Sequence, residues 1–332
     1  EHRRVREAAG LFDLSHMGRI VVSGGDSVAF LQALVTANVQ RLQDGNATYA
    51  PMCYADGGVV DDTFIYRTGQ GWLVVVNAAN AEKDMAWLQY QSPGMAVQIV
   101  DHSAESAMLA IQGPRAQHIL QQGTPLPLDA LRRNQILRTR VAGVEALVAR
   151  TGYTGEDGFE LYLRAADALQ VWRTLLEVGQ PDGLLPVGLA ARDSLRFEAC
   201  FPLYGHELRP DITPLQAGLG WAVALKKARF IGRDALLKER LEGVPRTLVG
   251  FEMLDRGVPR HGMTVFIQGA PLGWVTSGLY APTLDRFLGL AFVPPDRSAI
   301  GTEISIELRG QPRRAQIIKR PFYTPAYQKT RT

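Results

Sequence analysis

The 332-residue chain predicts an α+β fold with an all-β C-terminal part, and three observations carry that prediction. Short strand signals mix with helical ones through the first two thirds. Beyond about residue 244 helical periodicity stops, and apolar strand-like segments follow one another between turn residues. No glycine-rich fingerprint follows a strand at dinucleotide-binding spacing, which disfavours a doubly wound parallel sheet.

The elements read in order as follows. RIVVSG (19–24) alternates and is a strand, and DSVAFLQALV (26–35) is a helix capped by Asp26. TFIYR (63–67) and WLVVVN (72–77), separated by TGQG, make a hairpin. AEKDMAWLQYQ (81–91) has apolar residues at helical spacing. After the strand-like AMLAIQG comes PRAQHILQQ, with Pro114 suited to a helix's first turn. A hairpin around AGV (142–144) leads through EALVAR into TGYTGEDGFEL (151–161) and the strand-like FELYLR. ADALQVWRTLLEVG (166–179) is a helix with a glycine stop. TLVGFEM, MTVFIQ, LGWVTSG, FLGLAFV, EISIEL and AQIIKR then predict a barrel or sandwich. KERLEGVPR marks the boundary, so residues 1–243 and 244–332 are the expected units.

Composition narrows the function classes. The hydrophobic fraction of 46% is ordinary for a soluble globular protein. No apolar run reaches the roughly 18 residues of a membrane span. Cys53 and Cys200 lack metal-ligand spacing and read as reduced thiols of a cytoplasmic protein. The net charge of +3 is small. The basic segments RRAQIIKR and KTRT lack the aromatic interleaving of a nucleic-acid binder. The start, EHRRVREAAG, has neither an initiator methionine nor a signal-peptide core, so a trimmed or missing front is expected.

Common catalytic signatures are missing. VVSGGDSV lacks the third glycine of a dinucleotide loop, and no GxxxxGK[ST] occurs, so no nucleotide cofactor is expected; the isolation of the histidines means that no metal is expected either. His16 and His206 stand outside any HExxH-like pattern, and Ser15 beside His16 does not make a triad. Three patches remain. DGGVVDDTFIY (56–66) places Asp61 and Asp62 at the start of an apolar strand, where only one of them can face a pocket. TGYTGEDGFEL supplies Tyr153 and Glu160, with Glu156 and Asp157 expected to face water. VGLAARDSLRFEA (187–199) puts Arg192, Asp193, Arg196 and Glu198 on a helix. Taken singly, each patch also reads as a capped turn, a solvated loop or an ion-paired amphipathic helix.

Together the patches are informative. LFDLSHMG, GGVVDDTFIY, VVVNAAN, QGPRA, TGYTGEDGFE, GLAARDSLRFEA, PLYGHEL, AGLGWAV, FIGRDAL and VTSGLYAPTL follow one another in the order of a known family. The chain resembles the aminomethyltransferases, the T proteins of the glycine cleavage system, from about Val5 to the closing PFY at 321–323. The resemblance implies a three-domain cloverleaf: two interleaved α+β lobes around a folate site, plus a C-terminal β-barrel. It implies transfer of a one-carbon unit from the aminomethyl-lipoyl arm of H protein to tetrahydrofolate, in a system shared with the P and L proteins. It assigns Asp62 as the essential acid, Glu160 as acceptor for the pterin donor edge, and Tyr153 and Arg192 as folate contacts. Tyr49, Tyr66 and Asn77 match pocket-lining positions, Met17 an apolar wall, and Tyr327 or Arg331 a folate contact from the tail. Asp61, Asp193, Arg196 and Glu198 are left as structural groups, and Arg286 and Arg297 as basic residues for an acidic carrier. Family members carry a longer front with a segment resembling FAGWEMP. Two relatives stay open: a folate-dependent demethylase of an N-methylated glycine, commonly fused to a flavin domain, and a non-catalytic folate binder marked by KGCYxGQE, where this chain has TGYTGEDGFE.

Overall fold

The computed structural model describes residues 1–329; Arg331 lies outside them. The first strand, Ala9–Asp13, and the next, Gly18–Ser23, go to different sheets. One sheet has five strands in the order Ala47–Cys53, Val59–Thr68, Gly71–Val76, Gly18–Ser23 and Gln98–Asp101. The chain then returns to complete a six-stranded sheet: Leu184–Pro186, Ala9–Asp13, Ser106–Gln112, Gly158–Arg164, Val144–Ala149 and Ile136–Val141. Only the Ala9–Asp13 pairing with Leu184–Pro186 is parallel among the described strands. This is the mixed topology expected of interleaved α+β lobes.

Strand parity builds the core in layers. In the six-stranded sheet Leu109, Ile111, Phe159 and Leu161 face the helices Ala116–Gly123 and Ala168–Gly179. In the five-stranded sheet Ile20, Val22, Ile65 and Val74 pack with Phe30 and Leu31 of the helix Ser27–Leu34 and Leu88 of the helix Ala81–Gln91. The opposite faces meet each other through Tyr66, Leu73 and Val75 from one sheet and Met108, Ala110 and Tyr162 from the other. The two lobes therefore share a central layer, and groups from both converge there.

Residues 247–318 form a closed six-stranded barrel, which decides between the barrel and the sandwich. Its apolar interior includes Phe251, Val275 and Ile306. A second cluster, including Val59, Phe197, Leu248 and Phe292, packs the barrel against the lobes. The helix Arg233–Glu242 precedes it. No described helix is long and apolar enough to cross a membrane.

Three expectations need correction. Asp26 occupies the N-cap position of its helix without a side-chain cap bond; its carboxylate instead accepts from the Ala96 N–H at 2.7 Å, tethering a distant turn. Glu156 does not face water: it is buried and pairs with Arg6 at 3.0 Å, while Asp157 is half-buried against Arg150. The helix Leu189–Glu198 does not carry one ion-pair set but two. Arg196 bonds Asp193 and Glu207, whereas Glu198 meets His2 and Arg6. Ala96, Arg6 and His2 are remote in sequence from Asp26, Glu156 and Glu198, so no local rule reveals those partners.

Candidate active site

The Asp61–Asp62 strand is aimed by a close backbone approach. A Cβ on Gly58 would stand 1.8 Å from the Pro210 carbonyl oxygen, so only glycine lets the two segments meet. From there Asp62, Phe64 and Tyr66 turn toward the layer between the sheets, and Asp61 and Ile65 toward the helix side.

Asn77, just past the strand Gly71–Val76, holds both acids. Its Nδ2 donates to Asp61 Oδ1 at 2.9 Å and to Asp62 Oδ1 at 2.8 Å, and its backbone N–H donates to Asp61 Oδ2 at 3.0 Å. Asn80 Nδ2 adds a 2.6 Å bond to Asp61 Oδ1. Asp61 is thus a fully buried anchor, as its structural reading requires. Asp62 is half-buried and accepts a 2.9 Å bond from the Tyr49 hydroxyl. Burial raises the Asp62 carboxyl to about 7, and the Asp61 charge adds to that rise while bonds from Tyr49 and Asn77 oppose it. The Tyr49 ring stacks at 5.5 Å on Trp221, an exposed indole that the sequence reading passed over.

The TGYTGEDG turn forms the facing wall. Gly155 adopts a φ of +85°, which an L side chain resists. Gln112 clamps the turn, donating to the Thr151 carbonyl at 3.0 Å and accepting from Thr154 Oγ1 at 2.9 Å. Tyr153 stacks on Phe201 at 5.8 Å, and its hydroxyl donates to the Pro202 carbonyl. The Arg192 guanidinium lies 4.3 Å from the Tyr153 ring centroid. Burial holds the Arg192 guanidinium below its ordinary pKa, with Tyr153 and Glu160 among the groups that oppose the shift.

Glu160 sits one strand residue past Phe159 on the central face and is 8% exposed. Its Oε2 accepts three hydroxyls: Thr151 at 2.5 Å, Tyr66 at 2.8 Å and Tyr162 at 3.2 Å. Oε1 accepts none from the described residues. Neutral hydroxyls fix the rotamer without supplying a cation, so one oxygen stays available to a donor pair. Tyr66 is fully buried and acts behind Glu160 instead of presenting a surface of its own. Thr151 and Tyr162 complete this cradle and were not singled out in the sequence; flanking positions in a turn and a strand carry no signal of a shared oxygen.

The remaining candidates lie around these groups. Met17 packs half-buried against the central cluster, and its carbonyl accepts from Arg19. Tyr327 reaches the back of the turn, donating to the Gly155 carbonyl at 3.1 Å and accepting from Arg133 at 2.5 Å. Arg286 and Arg297 each form an exposed ion pair, with Glu252 and Asp296. A surface cavity of about 690 Å³, lined by Arg138, Arg140, Tyr162 and Arg164 among others, includes neither Asp62 nor Arg192. Tyr49, Tyr153 and Glu160 do not line it either. Among the described residues no group of three or more His, Cys, Asp or Glu side chains is gathered to hold a metal.

Comparison with known proteins identifies the family. The family model of the GCVT N-terminal domain matches residues 1–227, and that of the glycine cleavage T-protein C-terminal barrel domain matches 246–324. The chain belongs to the glycine cleavage T-protein family. Aminomethyltransferase of Geobacillus kaustophilus is 53% identical over 329 residues, 98% of this chain and 90% of that protein. Aminomethyltransferase of Desulforamulus reducens is 49% identical over 325 residues, 97% of this chain and 89% of the relative. The crystal structure of glycine cleavage system aminomethyltransferase T from Bartonella henselae matches with a TM-score of 0.91 at 35% identity, covering 98% of this chain and 89% of that one. As a T protein the chain is a transferase, and its barrel and two sheets are the family's fold.

Proposed function

We propose that this T protein takes the one-carbon unit of an aminomethyl group from the lipoyl arm of H protein and passes it to tetrahydrofolate. Ammonia and 5,10-methylenetetrahydrofolate leave, and the arm remains as dihydrolipoyl. The reaction is displacement at a sulfur-bound carbon by a folate nitrogen, and it calls for two large substrates in register and support for developing positive charge.

The residues of this chain suit those demands. Glu160, with one oxygen saturated by hydroxyls and the other open, fits the flat donor edge of a reduced pterin. That single observation carries the folate reading. Tyr153 and Arg192 supply a ring face and a guanidinium beside it. Asp62, as a carboxylate, positions the folate and supports an iminium-like carbon; Tyr49 and Asn77 orient it. Asn77 and Tyr66 serve as positioning groups, Met17 as an apolar wall, and Tyr327 as a buttress of the Tyr153 turn. We divide the chain at 243/244 into a folate-handling region and a barrel. Its two free cysteines suit a cytoplasmic setting beside the H, P and L proteins.

The test mixes the full-length protein with aminomethyl-loaded H protein and tetrahydrofolate, following methylenetetrahydrofolate and ammonia. Ammonia release that depends on folate is the expected result. Release that ignores folate, or none at all, would sink the reading.

A further inference from the structure

Asp84 lies near the start of the helix Ala81–Gln91 and is fully buried, at 0% exposure. Neither of its carboxyl oxygens meets a hydrogen-bond donor among the described residues. An ionised carboxylate there would lose its hydration with nothing in return. Asp61 is brought to the same helix end: Asn80, at the N-cap position four residues before Asp84, donates to Asp61 Oδ1 at 2.6 Å, and both acids are fully buried. Asp61 is already the acceptor of three N–H bonds, two on Oδ1 and one on Oδ2. A carboxylate has about four acceptor sites, so one is left for a further donor. Two facing carboxyl groups are compatible only when they share a proton. Lys83 does not act as a donor to Asp84: its ammonium bonds the Val60 carbonyl at 2.5 Å and the Tyr204 hydroxyl at 3.0 Å.

We propose that Asp84 is a neutral acid that donates its proton to Asp61, and so holds Asp61 as the anchor through which Asn77 is presented to Asp62. Asp84 touches no substrate. It is a positioning residue that acts through Asp61 and Asn77, and this role rests on the reading of Asp62 given above. Electrostatics agree with the geometry: burial raises the Asp84 carboxyl to about 10, and Asp61 adds to the rise both as bond partner and as charge. The ionisable groups facing it are Asp61 and Asp62 on the strand Val59–Thr68, Lys83 on its own helix, Tyr54 before that strand, and Tyr204 on the loop that reaches Val59. In the sequence, the signal was a carboxylate on the face shared by Ala81 and Leu88 in AEKDMAWLQYQ, where an apolar residue belongs.

The experiment compares Asp84→Asn with Asp84→Ala in the full chain. Asparagine copies the neutral acid, since its amide N–H replaces the acid O–H. Asp84→Ala is expected to lower kcat at least about tenfold through misplacement of Asp62, and Asp84→Asn to restore most of it. The acid limb of kcat/KM should sit at the same pH in Asp84→Asn as in the wild type. A limb displaced to lower pH would show that a negative charge had been removed, and would overturn the proposal. So would equal activities of the two variants. An infrared spectrum of the free enzyme at about pH 8.5, between the Asp62 and Asp84 values, gives a readout independent of turnover. A protonated carboxylic acid band present in the wild type and in Asp62→Asn, but lost in Asp84→Asn, is expected. Its absence from the wild type overturns the proposal even if the transferase assay succeeds. Its presence with a failed assay would place the error in the functional reading instead.

Discussion

The Tyr66 hydroxyl donates to Glu160 Oε2 at 2.8 Å across 94 residues of sequence, and the bond joins the two sheets at the candidate folate carboxylate. Tyr66 comes from the five-stranded sheet and Glu160 from the six-stranded one, so neither lobe builds this acceptor alone. The bond makes the orientation of Glu160 a property of how the lobes pack.

Two substitutions separate the direct contact from its support. Glu160→Ala removes the acceptor and should weaken tetrahydrofolate binding by about 2 kcal/mol, the worth of a charge-assisted bond. Tyr66→Phe leaves the acceptor but removes one of its three hydroxyls, and should cost about 1 kcal/mol. Calorimetric titration with tetrahydrofolate distinguishes them. An affinity unchanged in Glu160→Ala would refute the assignment, and a larger loss in Tyr66→Phe than in Glu160→Ala would reverse the roles.

Asp62 predicts a pH dependence of definite sign. Its carboxyl is raised from 3.8 to about 7, burial first and Asp61 second. If the carboxylate is the working form, kcat/KM should fall as pH drops below about 7. Asp62→Asn should lose most of kcat, keep part of its folate affinity, and show no such limb. The same group acts on stability in the opposite direction. Between 3.8 and about 7 the native state keeps a proton that the unfolded chain releases, so this contribution to stability declines as pH rises through that window. Denaturation series for the wild type and Asp62→Asn should converge below pH 4 and separate above it, with the variant the more stable.

Arg6 predicts a structural effect far from the chemistry. It bonds Glu156 at 3.0 Å, Glu198 at 3.1 Å and the Thr154 carbonyl at 2.7 Å, and lies 4.0 Å from the Tyr323 ring centroid. Arg6→Ala leaves two buried carboxylates short of a cation, a change worth about 3 kcal/mol of stability. Urea unfolding measures it, and a loss below about 0.5 kcal/mol, the range of ordinary surface substitutions, would show that His2 and Thr283 suffice for Glu198.

The local chemistry of this chain was largely legible from its residues. Helical spacing placed Ala81–Gln91 to the residue, and turn residues placed the hairpin of Val59–Thr68 with Gly71–Val76. These elements follow from periodicity and turn propensity, which act over a few residues. The ten family segments pointed to Asp62, Tyr153, Glu160 and Arg192 as candidates, because the resemblance is carried by short stretches of sequence in a fixed order. Tertiary structure alone decided which groups support them. Glu156 faces Arg6 from 150 residues away, Tyr66 and Tyr162 share one oxygen of Glu160, and Asp84 is buried without a donor. Burial and partners set the surroundings of each such group, and both depend on how the sheets and helices pack. A spacing rule reaches one turn of helix or one pair of strands; the environment of a carboxyl group is assembled from the whole fold.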